Sequence, residues 1–163
     1  MGANGVKQII SNAYVQNRNF LLEPEAKQLC ELIGLPVSKW IVAKTPDEAV
    51  EAANKLGYPV VLKVVSPDVL HKSDVGGVLL SLKSPQEVKA AFSRLLDNVK
   101  AHKPDARIEG VLVEQMAEKN VEVIVGGIRD PQFGPVIMFG LGGIFVEILK
   151  DVSFRITPVS MDD

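Results

Sequence analysis

Apolar positions along the chain follow two spacings. Val6, Ile9, Ile10 and Tyr14 recur three and four apart and predict one face of a helix over residues 4–18. "LLEPEAKQLCELIG" (21–34) predicts a second helix, with Pro24 suited to its first turn and Gly34 to its end. "KWIVAK" (39–44) reads as a strand. "TPDEAVEAANKLG" (45–57) then opens with Thr45 and Glu48 in capping-box spacing, buries Ala49, Val50, Ala53 and Leu56, and stops at Gly57. "PVVLKVVS" (59–66) and "GVLLSL" (77–82) read as strands. "SPQEVKAAFSRLLDNVKAH" (84–102) repeats the cap with Ser84 and Glu87, and Val88, Phe92, Leu95, Leu96 and Val99 form its apolar stripe. Beyond it, β-branched runs at 110–116, 121–128 and 135–139 predict strands, with the "DPQFGP" turn between the last two.

The order is helix, helix, strand, helix, strand, strand, helix, then mostly strands. This is an α+β pattern rather than strict βαβ repetition. The change of character near Gly110 suggests a helical segment over 1–22, a first lobe over 23–110 and a second over 111–163.

Composition narrows the function classes. The chain has 163 residues, 47% hydrophobic and 23% charged, enough for a core without cross-links. A net charge of −2 gives no electrostatic footprint for nucleic acid. The longest apolar stretch, Val136 to Val146, is broken by glycines and is shorter than the ~20 residues a bilayer requires, so no membrane span is expected. The single cysteine, Cys30, excludes an internal disulfide and suits a cytoplasmic location. Two histidines, His71 and His102, lie far apart in sequence and give no zinc pattern.

Candidate chemistry concentrates in "VVLKVVSPDVLHKSDVGGVLLSL" (60–82). Lys63 interrupts an apolar strand. A lysine there either snorkels or pairs with a carboxylate, or it supplies a point charge to a phosphate. Gly76 and Gly77 form either a hairpin turn or a backbone approach to an anion, and the two readings are balanced. His71 lies on the polar turn between them. It is either a solvated side chain or a nucleophile whose ordinary pKa of about 6.5 leaves it largely neutral at pH 7. "FGLGGIF" (139–145) lacks the dinucleotide-binding spacing, and no Walker-type phosphate loop is present. "VLVEQMAEKNVEV" (111–123) places Glu114, Gln115 and Met116 at a strand end and Glu122 in the next apolar run. Such a crossing offers backbone groups to an adenine edge and a carboxylate to ribose hydroxyls.

The stretch "GYPVVLKVVSPDVLHKSDVGGV" (57–78), with "VEQM" and "GGIRDPQFGPVIMFGLGGIFVEILKDVSFRITP", resembles the ATP-grasp domain of ADP-forming acyl-CoA synthetases of the acetate–CoA ligase β-subunit type, relatives of succinyl-CoA synthetase. The resemblance runs from about Leu22 to the end of the chain. It implies an ATP-grasp fold of two lobes, each with a mainly antiparallel sheet and helices, and the nucleotide between them. It implies that Lys63 contacts ATP or ADP phosphates, that Gly76 and Gly77 cover them, that Glu114, Gln115 and Met116 hold adenine, and that Glu122 holds ribose. It implies that His71 is a phosphohistidine, receiving phosphate from an α subunit that carries the CoA-binding and phosphohistidine domains, in an α2β2 heterotetramer. The family's magnesium (Mg2+) ligands lie in an acidic-x-Asn-Pro segment and a later aspartate. "TPVSMDD" does not reproduce these, so the resemblance implies a C-terminally truncated subunit, metal ligands beyond Asp163 and an inactive isolated fragment. The competing readings are a direct ATP-grasp carboxylate ligase, which the "LHKSD" loop disfavours, and a non-enzymatic nucleotide-sensing domain of the same family.

Overall fold

The computed structural model describes residues 2–118, 120–143, 152–160 and 162. Ile144–Asp151, which carry part of the C-terminal motif, and Asp163 lie outside them. The elements are α1 (Gly2–Val15), α2 (Glu23–Leu32), β1 (Trp40–Ala43), α3 (Pro46–Leu56), β2 (Val60–Val65), a 3-10 turn (Ser73–Val75), β3 (Val78–Leu82), α4 (Pro85–His102), β4 (Gly110–Gln115), β5 (Val123–Asp130), β6 (Gly134–Leu141) and β7 (Val152–Ile156). No described helix is long and apolar enough to cross a membrane.

Two compact units divide the chain, residues 1–117 and 118–163. This corrects the boundary expected near Gly110. β4 is an inner strand of the first unit's sheet, whose order is β1-β4-β2-β3 with every neighbour antiparallel. The N-terminal helical segment belongs to the same unit rather than standing apart. The second unit contains an antiparallel β5-β6-β7 sheet.

Both helix starts expected from Thr45 and Ser84 form. The Thr45 and Ser84 hydroxyls each accept from the amide three residues on, at 3.2 Å. Glu48 and Glu87 accept from the amides of Lys44 and Lys83, one residue before each cap, so the spare donors are satisfied just outside the helix. α3 and α4 cover one face of the first sheet. Ala49, Ala52 and Ala53 of α3 and Val88, Phe92, Leu95 and Val99 of α4 meet Val60, Leu62, Val64, Val111 and Val113. Each fully buried leucine or valine there contributes roughly 1.5–3 kcal/mol of apolar burial.

The opposite face explains the lysine. Alternation along β2 and β4 turns Val61, Lys63 and Val65, with Leu112 and Glu114, away from α3 and α4. Phe20, Leu22, Trp40 and Val42 pack with Val65 and Leu112 there. A strand covered on both sides reads as an unbroken apolar run. Here the second cover is partly a helix N-terminus, and the one charged residue of β2 points to it. α1 departs from its expected stripe. Ala13 is buried, while Tyr14 is 66% exposed, because α2 is the element that α1 packs on.

Candidate functional site

Register brings Lys63 and Glu114 together. Lys63 pairs with Leu112 and Val61 with Glu114, so the two charged side chains are diagonal neighbours on one face of adjacent strands. Lys63 Nζ lies 2.6 Å from Glu114 Oε2 and 2.7 Å from Glu23 Oε1 at the start of α2. Glu114 Oε1 accepts from Lys27 Nζ at 2.6 Å and from the Ser38 hydroxyl. Glu23 Oε2 lies 3.1 Å from Lys72 Nζ. Three lysines thus face two glutamates, leaving one net positive charge in the cluster.

Burial and pairing compete at each group. Burial pushes the Glu114 carboxyl up, but Lys27, Lys63 and Ser38 together outweigh it and hold it below the usual carboxylate range. Glu23 behaves likewise, raised by burial and lowered further by Lys63 and Lys72. Burial pushes the Lys63 ammonium down, and Glu114 and Glu23 reverse that and hold it above its ordinary value. Glu23, Glu114 and Lys63 are therefore charged at neutral pH. Glu114 Oε2 has no partner in hydrogen-bond geometry, so the Lys63 ion pair alone compensates it.

Lys63 and Lys72 open onto a cleft of about 550 Å3 that Glu23, His71 and Asp74 also line. His71 is exposed, and its ring has no hydrogen-bond partner among the described residues. An imidazole placed so is open to a ligand in the cleft.

The glycine pair settles toward packing. The Gly76 amide donates to Ser73 O at 3.2 Å and the Gly77 amide to Lys72 O at 2.8 Å. Both donors are engaged inside the turn. Gly76 has φ +62°, and a Cβ on Gly77 would stand 2.7 Å from Val64 Cγ1. The pair closes the turn onto β2 and α4.

Of the residues expected at the adenine, Glu114 has its carboxylate buried in the lysine cluster. The Gln115 and Met116 amides donate to Lys39 O and Pro59 O at 2.9 and 3.2 Å. Past them, the Met116 carbonyl and the Ala117 amide have no backbone partner among the described residues. Glu122 is exposed at the start of the second unit, and its carbonyl accepts from the Gly142 amide at 2.8 Å.

Glu23, Lys27, Ser38 and Lys72 were not anticipated from sequence. Among the described residues, no group of three or more His, Cys, Asp or Glu side chains could hold a metal ion. The described residues thus supply no acidic cluster for magnesium, an ion that takes few protein carboxylates when it binds together with nucleotide phosphates.

A family model described as an ATP-grasp domain matches residues 12–163. The β subunit of acetate–CoA ligase [ADP-forming] I from Pyrococcus furiosus is 52% identical over 157 residues, covering 96% of this chain and 67% of that subunit. A Ca. Korarchaeum cryptofilum dinucleotide-forming acetyl-coenzyme A synthetase in complex with coenzyme A, Ca-AMPCP and HgCl+ matches with a TM-score of 0.93 at 50% identity, over 96% of this chain and 69% of that one. A Se-Met form of the same synthetase with coenzyme A and Mg-AMPPCP has its phosphohistidine segment pointing towards the nucleotide-binding site. It matches with a TM-score of 0.81 at 44% identity, over 97% of this chain and 67% of that one. The chain spans about two thirds of the length of these relatives.

Proposed function

This chain belongs to the ATP-grasp family, among the β subunits of ADP-forming acetate–CoA ligases, and we propose that it carries phosphate to ADP through His71. The overall reaction is acetyl-CoA, ADP and phosphate to acetate, CoA and ATP, and it is reversible. An α subunit is the partner, in an α2β2 assembly in the cytoplasm.

The observation that carries the reading is the shared cleft. An exposed imidazole, without a hydrogen-bond partner among the described residues, and the ammonium groups of Lys63 and Lys72 line one space of about 550 Å3. Phosphoryl transfer depends mainly on alignment and charge compensation. The histidine supplies the nucleophile, and the lysine-rich cluster supplies the compensation.

Two displacements move the phosphoryl group. A ring nitrogen of His71 attacks phosphorus held on the α-subunit histidine, forming one N–P bond as the other breaks. A β-phosphate oxygen of ADP then attacks the same phosphorus, forming the P–O bond of ATP and freeing His71. Lys63 faces the phosphates during the second step, and its tie to Glu114 fixes its direction. The Met116 carbonyl and Ala117 amide present an acceptor and a donor to the adenine edge, and Glu122 receives the ribose. Magnesium accompanies the nucleotide and brings further charge compensation. Its ligands are not among the described residues.

The complete enzyme, given acetyl-CoA and labelled phosphate, tests this. Acid-labile label should appear on both subunits. His71→Ala should remove it from this chain alone and abolish ATP synthesis. Label persisting on the alanine variant of this chain, or normal ATP synthesis by it, refutes the carrier role.

A further inference from the structure

The segment from Asp68 to Gly77 is anchored at both ends and lightly tied between them. At its start, the Asp68 carboxylate accepts from Arg107 Nε and Nη2 at 3.0 and 2.8 Å and from the Arg107 amide at 2.8 Å. Lys103 Nζ donates to the Asp68 carbonyl at 2.8 Å. At its end, Asn98 Nδ2 donates to the Gly76 carbonyl at 3.2 Å and the Val64 amide to the Gly77 carbonyl at 2.9 Å. Between these anchors Val69 and Val75 are buried, while Leu70, His71, Ser73 and Asp74 are exposed. Among the described residues, the one polar side-chain tie from 69–75 to the rest of the fold is Lys72 Nζ on Glu23 Oε2, at 3.1 Å.

Glu23 therefore joins two functions. One oxygen holds Lys63 on the fixed strand β2 and the other holds Lys72 on the anchored segment. Its carboxylate sits between two ammonium groups, the place and charge that two oxygens of a phosphate would take. A phosphoryl group carries more charge than a carboxylate and offers more acceptor oxygens.

We propose that Glu23 is a positioning residue that latches the His71 segment through Lys72, and that an anionic phosphate group arriving at Lys63 and Lys72 displaces it. This rests on the reading of His71 as a carrier. With the latch closed, His71 is parked in the cleft. With Lys72 exchanged from Glu23 to phosphate, the segment between the Asp68 and Gly76 anchors keeps the packing of Val69 and Val75 and the turn's own bonds from the Gly76 and Gly77 amides, with no side-chain tie to α2 among the described residues. Lys72 follows His71 in the chain, so it travels with the ring and screens the phosphoryl charge.

Amide hydrogen exchange in the complete enzyme tests the latch, because opening of a local segment is read independently of turnover. Lys72→Met keeps the Glu23–Lys63 pair, and Glu23→Gln removes both ties. Each should speed exchange in residues 69–75 about fivefold, the scale of losing one half-buried ion pair, with α4 and β4 unchanged. The double variant should be no faster than the faster single. Saturating ADP should speed the same amides in the wild type and leave Glu23→Gln unaffected. Unchanged exchange in either single variant, fully additive effects, or no response of the wild type to ADP overturns the latch. Labelling of His71 by acetyl-CoA and labelled phosphate is followed in the same samples. Fast exchange without label in the wild type would sink the carrier reading and leave the latch standing. Normal label with unchanged exchange would do the reverse.

Discussion

Lys63→Met is the most informative single change, because it separates the lysine's hold on the fold from its charge toward a ligand. Methionine keeps most of the apolar stem against β4 and deletes the ammonium. Glu114, whose side chain is 9% exposed, then loses the group 2.6 Å from its Oε2. That oxygen has no other partner, while Oε1 keeps Lys27 and Ser38. Breaking a fully buried ion pair costs about 3–5 kcal/mol. Here Lys27 still neutralises the carboxylate and Lys63 is 24% exposed, so the charge-assisted hydrogen-bond range of about 1.5–3 kcal/mol is the better scale. With a urea slope of ~2 kcal/mol/M, the midpoint should fall by about 0.75–1.5 M. Trp40 is the only tryptophan and pairs with Glu114 across β1 and β4, so its fluorescence reports this unit directly. The cost of Lys63→Met in a Glu114→Gln background should be less than half its cost in the wild type, since the amide carries no charge for Lys63 to compensate, while the loss of the Lys27–Glu114 pair is common to both arms of that comparison. A cost below about 0.5 kcal/mol in the wild type, or an undiminished cost in the Glu114→Gln background, would refute the account of Lys63 as a structural counter-ion.

Two further outcomes follow from the same geometry. Glu23 and Glu114 are held below their ordinary value of 4.5, so their contribution is complete above that pH and is lost as pH falls through their folded values. Asp68, held at about 2 by Arg107, loses its contribution between 3.8 and 2. The Lys63→Met deficit should shrink below pH 4.5 as Glu114 takes up a proton, and a constant deficit in pH-resolved urea titrations contradicts this. Gly77→Ala should destabilise the first unit by about 1–3 kcal/mol through collision with Val64 and the Lys72 carbonyl, whereas Gly134→Ala, with open space around its Cβ and φ +74°, should cost only about 1 kcal/mol of backbone strain. Equal losses in urea titrations of the two variants would show that the close approach at Gly77 is unimportant.

Local chemistry was legible from sequence wherever a short stretch decides it. Thr45 and Ser84 cap their helices because a hydroxyl three residues from an orphan amide needs only local geometry. The oddness of Lys63 was visible because a charge stands out in a strand buried on both faces. Pairing was not legible. β4 follows a helix and a loop, and nothing in "GVLVEQ" says that it lies between β1 and β2, so the unit boundary was set too early. Glu114 stands at a strand end and falls, by the family resemblance, with Gln115 and Met116 among the residues expected to hold adenine. Its partners Lys63 and Lys27 are 51 and 87 residues away, and only the β2–β4 register and the placement of α2 bring them within 2.6 Å. Glu23 looked like an ordinary acid in the first turn of a helix, where the helix dipole favours one anyway. Tyr14 fits a helical stripe by spacing, but spacing does not say whether a partner covers it.

The location of the charged cluster follows from the two faces of the first sheet. The face under α3 and α4 is closed by alanines, valines, leucines and a phenylalanine, and an ammonium there would be stranded without a counter-ion. The other face is covered near Val65 and Leu112 by Phe20, Leu22 and Trp40, and beyond them by the polar start of α2. That cover supplies Glu23 and Lys27 from one helical face, four residues apart, with Lys63 and Glu114 beneath them. It also stops short of the cleft, so Lys63 and Lys72 keep an open side. A charge embedded in this way is aimed by its carboxylates while remaining accessible, and an arriving phosphate meets a lysine already turned toward it. The carboxylates that aim the lysine also compete for it. Glu114 is buried beneath Lys63, whereas Glu23 lines the cleft with Lys63 and Lys72, so Glu23 is the carboxylate with which an arriving phosphate competes for both.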